Sequence, residues 1–543
     1  RPATSSVPGD LAIPAKMRHP RYLNVLVFVA GLVTLGMEMS AARLLDPWFG
    51  NSILVWAALI GLVLACLSLG YWLGGKLADR RPSAPLLYRL ALAAALLVGL
   101  IPVAGRPILR AAALSSLNLE SVSLGLLAAA GLAIFLILSV PTVLLGMISP
   151  FAIRLALADV STGGQVAGRL YAVSTVGSLV GTFLPVLVLI PAAGTRLTFV
   201  LLAALLAVTA LVGLFLERAS SARPALLALP LLAGLGWLSS QGAIKPEPGL
   251  LHEGESLYNY YQVVQRGPET WLKLNEGIGL HSVYHPQSAL SEGIWDYFLT
   301  APLFAEREEG KEGNKDTRGG DVDSLYVVGM AGGTVAQLYT DVYGPIPIDG
   351  AELDPDIVKA AHTYFHLDAY PNVNAVAADG RGFLLRQPAD KRYAVIAVDA
   401  YRPPYIPFHL STVEFFQLVR DHLAEDGVVA VNAARSQDDY SLVNALAATM
   451  AQVFPSVYVV DPPDDGYSLG NSLLVATVQP TTLDDFRRNA AAIDASAQPL
   501  LAEMARRAAL TARPADVTGP ILSDDKAPIE QIVHGIMLRF FLQ

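Results

Sequence analysis

One cysteine, Cys66, stands in 543 residues, so no intramolecular disulfide can form and no thiolate cluster can gather a metal ion. Charge is scarce as well: Asp, Glu, Lys and Arg together make 16% of the chain, against about 25% in soluble proteins. Within that small share the bases are outnumbered, 38 Lys and Arg to 47 Asp and Glu, for a net charge of −9. A chain with that balance lacks the basic face that phosphate backbones require, and no nucleic-acid partner is expected. Also missing are a Gly-x-x-x-x-Gly-Lys-Ser/Thr phosphate loop and a His-Glu-x-x-His helix. Their absence argues against a nucleoside triphosphate ligand and a zinc-protease helix. His252, His281 and His285 have spacings that fit no standard metal site, and no metal is expected.

What is abundant is apolar surface. Hydrophobic residues make 53% of the chain, and mean hydropathy is +0.45. The average hides a division near residue 245: Leu, Ala, Val and Gly dominate before it, and most of the acids lie after it. Two solvents are implied, with a transmembrane helical domain over residues 22–243 behind a polar tail at 1–21. Crossing the hydrocarbon takes about 20 apolar residues, and runs of that kind occur near 22–45, 53–75, 86–104, 122–147, 169–191, 196–216 and 224–240. The first run is long and follows Lys16, Arg18 and Arg21, so it reads as a retained anchor rather than a cleaved signal.

Basic loops stay on the cytoplasmic side. Lys76, Arg80, Arg81, Arg154, Arg169, Arg218 and Arg223 fall on the same side as the N-terminal bases, and Arg106, Arg110 and Arg196 fall opposite. The N-terminus is therefore expected inside. Seven full crossings would then leave the rest of the chain outside, so an even number is preferred, with 224–240 failing to span or another span miscounted. Within the spans, Glu38 and Arg43 are costly charges whose plain reading is a structural ion pair or a snorkelling arginine. Gly177, Ser178, Gly181 and Thr182 permit close helix contact.

After Lys245 the texture is that of a soluble α/β domain. Tyr260–Val264 and Trp271–Leu274 are β-prone runs in a small β-subdomain over 250–305, and 306–323 is a charged, aperiodic loop. From 324 to 543 a Rossmann-like domain is expected. Leu325–Val328 reads as a buried strand, and it runs into Gly329-Met-Ala-Gly-Gly333-Thr334 and a helix. Such a turn lets backbone approach a nucleotide at a helix N-terminus. The next strand ends in Glu352, spaced to accept hydrogen bonds from ribose hydroxyls. Two more strands end at Asp379-Gly380 and at Asp399. Acids at successive carboxyl ends of parallel strands line one crevice.

Two resemblances follow from these residues. Gly70–Arg81 resembles the loop after the second helix of major-facilitator transporters. Pro141–Pro150, Gly168–Tyr171 and Gly177–Gly181 are similar to the membrane region of bacterial proteins that fuse a transporter-like part to a spermidine synthase. The order of glycine turn, Glu352-Leu-Asp354, Asp379-Gly380, Asp399, Leu410–Phe416 and Gly427–Asn432 resembles the spermidine synthase family of aminopropyltransferases over about 250–480. That resemblance implies decarboxylated S-adenosylmethionine, or S-adenosylmethionine itself, as cosubstrate and a polyamine-type amine as acceptor. It implies that Gly329 and Gly333 lie beside the thioether, Glu352 binds ribose, Asp379 with Gly380 contacts adenine, and Asp399 orients and deprotonates the amine. Gln262, with Tyr258 and Tyr401, would line the substrate cleft, and a homodimer is the family habit. Multi-pass residence in the plasma membrane, with the catalytic domain cytoplasmic, would complete this picture.

The chain departs from the family at two places. Ala331 stands where the family turn carries an aspartate, and Arg402 stands where a second aspartate follows the catalytic one. A fixed cation there opposes a cationic substrate. Three readings stay open: aminopropyl transfer, methyl transfer from intact S-adenosylmethionine near the membrane, and a nucleotide-sensing or transport-linked protein without catalysis.

Overall fold

The structure is a computed structural model that describes residues 17–50, 53–116, 122–157, 162–275, 279–306, 322–401, 406–463 and 469–542. It divides into two compact units, Arg1–Pro246 with Glu255–Tyr260, and Glu247–Gly254 with Tyr261–Gln543.

The first unit is helical. Its long helices are α1 (Tyr22–Phe49), α2 (Ile53–Arg80), α3 (Ala84–Ser116), α4 (Val122–Ala156), α5 (Gly163–Leu184) and α6 (Ile190–Leu216), followed by the short α7 (Ala222–Ala225) and α8 (Ala228–Ser240). Among the described residues, six helical stretches are long and apolar enough to cross a membrane. One of them, Gly163–Leu216, is 54 residues long. It passes through a π-helical turn at Pro185–Leu189 and breaks at Gly194, whose φ of 77° is not helical. The interruption expected between 191 and 196 is thus a bend in a continuous stretch. The final stretch, Ala222–Ser240, has 19 residues.

Glycine decides how these helices meet. A Cβ on Gly177 would lie 2.0 Å from the Phe28 carbonyl oxygen, and one on Gly181 would lie 2.1 Å from that of Leu32. Being four apart they share one face of α5, so α5 rests on α1 backbone to backbone. Gly74 does the same for α2 against α4, with Met147 Cα 2.6 Å from its would-be Cβ. Arg43 pairs with Asp46 one turn on, at 3.4 Å, and also donates to the carbonyls of Ser256 and Tyr258. Glu38 is buried. Outward faces carry Leu64, Trp72, Leu132, Leu179 and Leu187, all more than half exposed.

The second unit holds two sheets. β1 (Leu250–Glu255), β2 (Tyr260–Arg266), β3 (Glu269–Leu274) and β4 (Leu280–Tyr284) form a four-stranded sheet in chain order. After α9 (Ile294–Tyr297) and a 3₁₀ segment, Phe298–Phe304, comes the larger sheet, with β5 (Leu325–Val328), β6 (Ile348–Glu352), β7 (Val373–Ala377), β8 (Tyr393–Val398), β9 (Leu423–Ser436), β10 (Ser456–Val460), β11 (Leu469–Thr477) and β12 (Arg513–Pro514). The helices of this region are α10 (Thr334–Tyr343), α11 (Pro355–Tyr364), α12 (Gly380–Leu385), α13 (Val413–Asp421), α14 (Ser441–Met450), α15 (Leu483–Ala491), α16 (Pro499–Thr511) and α17 (Ile529–Leu542).

Strand order across the large sheet is β12-β10-β11-β9-β8-β5-β6-β7. The five strands from β9 to β7 pair in parallel, while β11, β10 and β12 join antiparallel. A parallel sheet is covered on both faces, which is why its central strands β5 and β8 are apolar and buried over almost their whole length. Leu325, Val327, Val395 and Ala397 enter one core, and Tyr326, Val328, Ile396 and Val398 enter the other. This is a Rossmann-like fold of the methyltransferase type, and its chain reversal falls at β5 and β8, where doubly wound sheets bind ligands.

Candidate functional site

The turn after β5 is fixed before any side chain acts. The Gly329 and Met330 N–H groups both donate to the Ala351 carbonyl, at 2.9 and 3.0 Å. Gly329 has φ 80°, and a Cβ there would meet Ala400 Cα at 2.5 Å, so β5 can only leave the sheet here as glycine. Gly333, φ 96°, is the N-cap of α10. Ala331 also takes a left-handed φ of 49°, a conformation uncommon for residues with a Cβ. Its N–H donates to Glu352 Oε2 at 3.0 Å.

Glu352, at the end of β6, therefore holds the turn. Its Oε1 accepts from the Asp354 N–H at 3.0 Å. Burial pushes its carboxyl up to about 7 in spite of those donors. Each carboxylate oxygen keeps a second lone pair, so hydroxyl donors can still be received. Asp354 is fully buried and caps α11 through the Asp356 N–H.

Asp399 follows β8, and its own N–H bonds the Val328 carbonyl at 2.8 Å, which sets it beside the glycine turn. Oδ2 accepts from Trp295 Nε1 at 2.7 Å and Oδ1 from Asn432 Nδ2 at 2.8 Å. Asn432 in turn accepts from Asn471 at 2.8 Å. Burial raises the Asp399 carboxyl to about 6, opposed by the hydrogen bonds from Asn432 and Trp295. A carboxylate with that poise, held from two sides, can take a proton from an ammonium group near neutral pH.

Asp379 behaves differently. It is the N-cap of α12, accepting from Gly382 N–H at 2.7 Å, and its other oxygen meets His409 Nε2 at 2.8 Å. The His409 hydrogen bond is the main reason its carboxyl stays below the usual range. Gly380 packs so tightly that a Cβ would sit 2.5 Å from Val328 Cγ1. Close by, Arg381 grips Asp524 with two 2.7 Å bonds.

Glu352, Asp379, Asp399 and the turn are joined through the carboxyl ends of neighbouring strands β8, β5, β6 and β7. Gln262 is buried in β2, opposite Lys273. Tyr401 receives the Ala434 N–H on its hydroxyl, and burial pushes that hydroxyl's pKa well above the usual phenol value, making it a weaker acid. Tyr258 lies in the β1–β2 turn, which belongs to the first unit, and is not among the residues the large sheet assembles. Arg402 lies outside the described residues. Tyr260 and Tyr261 are buried. Asp439 lies two residues before α14, accepts from the Ser441 N–H at 2.9 Å and pairs with Arg539.

Among the described residues no group of three or more His, Cys, Asp and Glu is placed to hold a metal ion. His252 stacks on Tyr364, His285 accepts from the Gln287 N–H, and His281 sits apart in β4. Trp295 and His409 had no signal in the sequence beyond their presence, and Asn432 entered only as the end of the Gly427–Asn432 segment. Trp295 reaches Asp399 across 104 residues, and only the fold creates that pair.

Residues 324–462 match the family model described as the spermine/spermidine synthase domain. A Bifidobacterium longum protein named "Probable polyamine aminopropyl transferase" is 31% identical over 305 residues, which cover 53% of this chain and 64% of the relative. A Vibrio vulnificus "Polyamine aminopropyltransferase" is 26% identical over 198 residues, 36% of this chain and 64% of the relative. The chain thus spans just under two thirds of the length of both. A crystal structure described as a probable spermidine synthase from Corynebacterium glutamicum aligns with 49% of this chain and 95% of its own, at 18% identity and a TM-score of 0.37.

Proposed function

Taking as premise that residues 324–462 form a spermine/spermidine synthase domain, we propose that this chain is a membrane-embedded aminopropyltransferase. In this reading decarboxylated S-adenosylmethionine donates its aminopropyl group to a primary amine. The observation that carries it is Asp399, half-buried at the tip of β8 and held by Trp295 and Asn432 beside the glycine turn.

The acceptor nitrogen attacks the propyl carbon next to the sulfonium. As the C–N bond forms, the C–S bond breaks, and its electron pair stays on sulfur, which leaves as the neutral thioether methylthioadenosine. Asp399, whose carboxyl near 6 is ionised at neutral pH, takes the proton of the acceptor ammonium and so frees the nitrogen lone pair for this attack. Glu352 receives the ribose hydroxyls, and Gly329 and Gly333 bring backbone against the thioether end. Asp379 and Gly380 border the adenine, and Gln262 and Tyr401 border the acceptor. Much of the acceleration comes from alignment of nitrogen, carbon and sulfur.

The long apolar helices, with Leu64, Trp72 and Leu179 facing outward, support residence in a bilayer. The basic loops favour a cytoplasmic N-terminus, and an even number of crossings returns the second unit to that side, where the cosubstrate is made. Resistance of the protein to alkaline carbonate extraction would support membrane residence, and release of the protein would refute it.

The decisive experiment incubates the full chain in nanodiscs with decarboxylated S-adenosylmethionine and 1,4-diaminobutane. Methylthioadenosine together with an elongated amine is the expected product pair. Turnover only with intact S-adenosylmethionine, giving S-adenosylhomocysteine, would replace this reading with methyl transfer. No product from either donor, over a panel of amines, would leave a non-catalytic protein.

A further inference from the structure

In the small antiparallel sheet one residue has no opposite number. β3 and β4 pair from Thr270 opposite Tyr284 to Leu272 opposite Ser282, and the next pair is Lys273 opposite Leu280. His281 is the additional residue of a β-bulge, a device that bends a strand and re-aims the side chain it carries.

The bulge sits where the strand is fastened to the glycine turn. Ser282 Oγ accepts from the Gly332 N–H at 2.7 Å, and Thr334 Oγ1 bonds both the N–H and the carbonyl of Val283 at 3.0 Å. His281 therefore precedes, by one residue, the side chain that touches the turn. Its Nε2 is buried and has no hydrogen-bond partner among the described residues. A buried imidazole nitrogen left unpaired is unfavourable, and a leucine would fill the space without that cost. Desolvation also lowers the imidazole to about 4, which keeps it neutral at physiological pH. With the proton of the neutral ring on Nδ1, Nε2 is a hydrogen-bond acceptor. The turn itself, Gly329–Gly333, has no charged side chain to answer a cation.

Building on the aminopropyl-transfer reading, we propose that His281 Nε2 accepts a hydrogen bond from a primary ammonium group of bound substrate, which makes His281 a binding residue of this site. Two ammonium groups meet that description, the one ending the aminopropyl tail of the donor and the one on the amine acceptor. The chemistry is the same for both, and the experiment separates them.

Calorimetry on the full chain in nanodiscs uses three probes: methylthioadenosine, which has no ammonium; decarboxylated S-adenosylmethionine; and 1,4-diaminobutane in the presence of methylthioadenosine. In His281→Leu, methylthioadenosine affinity stays within about twofold of wild type, and one ammonium ligand weakens by about tenfold or more, as loss of a hydrogen bond to a charged group requires. Weakening of the donor assigns His281 to the aminopropyl tail, and weakening of the diamine assigns it to the acceptor. His281→Gln, which restores an acceptor atom, recovers most of the loss. His281→Met replaces the leucine variant if that one does not fold. The proposal is overturned if both ammonium ligands bind as in wild type, or if methylthioadenosine weakens equally, which would mean a structural role. A wild-type protein that binds neither methylthioadenosine nor the donor removes the aminopropyl-transfer reading itself, and with it the role of His281.

Discussion

The indole N–H of Trp295 points at Oδ2 of Asp399 across 2.7 Å, joining α9 to the tip of β8. Indole is a donor only, so this bond favours the carboxylate and disfavours the protonated acid. Burial pulls the other way and wins, leaving the group near 6. Trp295→Phe keeps a ring of similar bulk and deletes the donor. The acid limb of the kcat/KM profile, set by Asp399 near pH 6 in wild type, is then expected to move up by about one to two pH units. A limb that stays in place would mean the indole does not govern Asp399.

Asp399→Asn removes the base without disturbing volume. General-base catalysis contributes about 10²- to 10⁴-fold, so kcat should fall by that factor and the acid limb should vanish. Methylthioadenosine carries no amine to deprotonate, and its affinity should be unchanged. Loss of nucleotide binding in equal measure would demote Asp399 to a structural residue.

The alternation of apolar strands and glycine or acidic ends made the parallel sheet and its crevice legible in the sequence. Leu325–Val328 with Gly329 and Gly333 required a turn that only a strand-to-helix connection satisfies, and the structure has φ values of 80° and 96° at those glycines. What stayed hidden depends on long-range placement. Trp295 lies in a short apolar segment whose packing residues look alike in sequence, and His409 is one imidazole beside Leu410 until the fold sets it on Asp379. The bulge at His281 was equally hidden, because register is a property of two strands rather than of one. In the helical unit, residue counts located the apolar runs, but the continuity from Gly163 to Leu216 depends on Pro185–Leu189 and Gly194, whose bend no hydropathy window records.

Glu352 gives a prediction about stability and pH. Its folded value near 7 lies above its ordinary 4.5, so the folded protein binds more protons than the unfolded chain between those values. Stability from this group is greatest in acid and is lost as pH rises from about 4.5 to 7. Glu352→Gln cannot ionise and escapes that loss. The difference in unfolding free energy, variant minus wild type, should shift toward the variant by up to about 3 kcal/mol between pH 5 and 8. The baseline of that difference includes the cost of an amide facing the Ala331 or Asp354 N–H, so the slope with pH is the quantity to read. Urea unfolding of the second unit, followed by Trp295 and Trp271 fluorescence at several pH values, measures it. A difference that is flat with pH would show that Glu352 is ionised normally.

The helical unit can be tested through two glycines of opposite circumstance. At Gly177 any Cβ would lie 2.0 Å from the Phe28 carbonyl oxygen, and at Gly61 nothing lies within 4 Å. Gly177→Val must push α5 away from α1, a backbone contact with no flexible side chain to give way. Overpacking of this kind costs about 1–3 kcal/mol or more, so detergent-solubilised protein should lose several degrees of thermal midpoint or fail to accumulate. Gly61→Ala adds a methyl to an open helix surface and gains helix propensity, about 1 kcal/mol at most. Its midpoint should equal or slightly exceed that of wild type. Equal destabilisation by both would mean that α1 and α5 do not rest on each other through glycine, and that the tight contact is not what orders this helical unit.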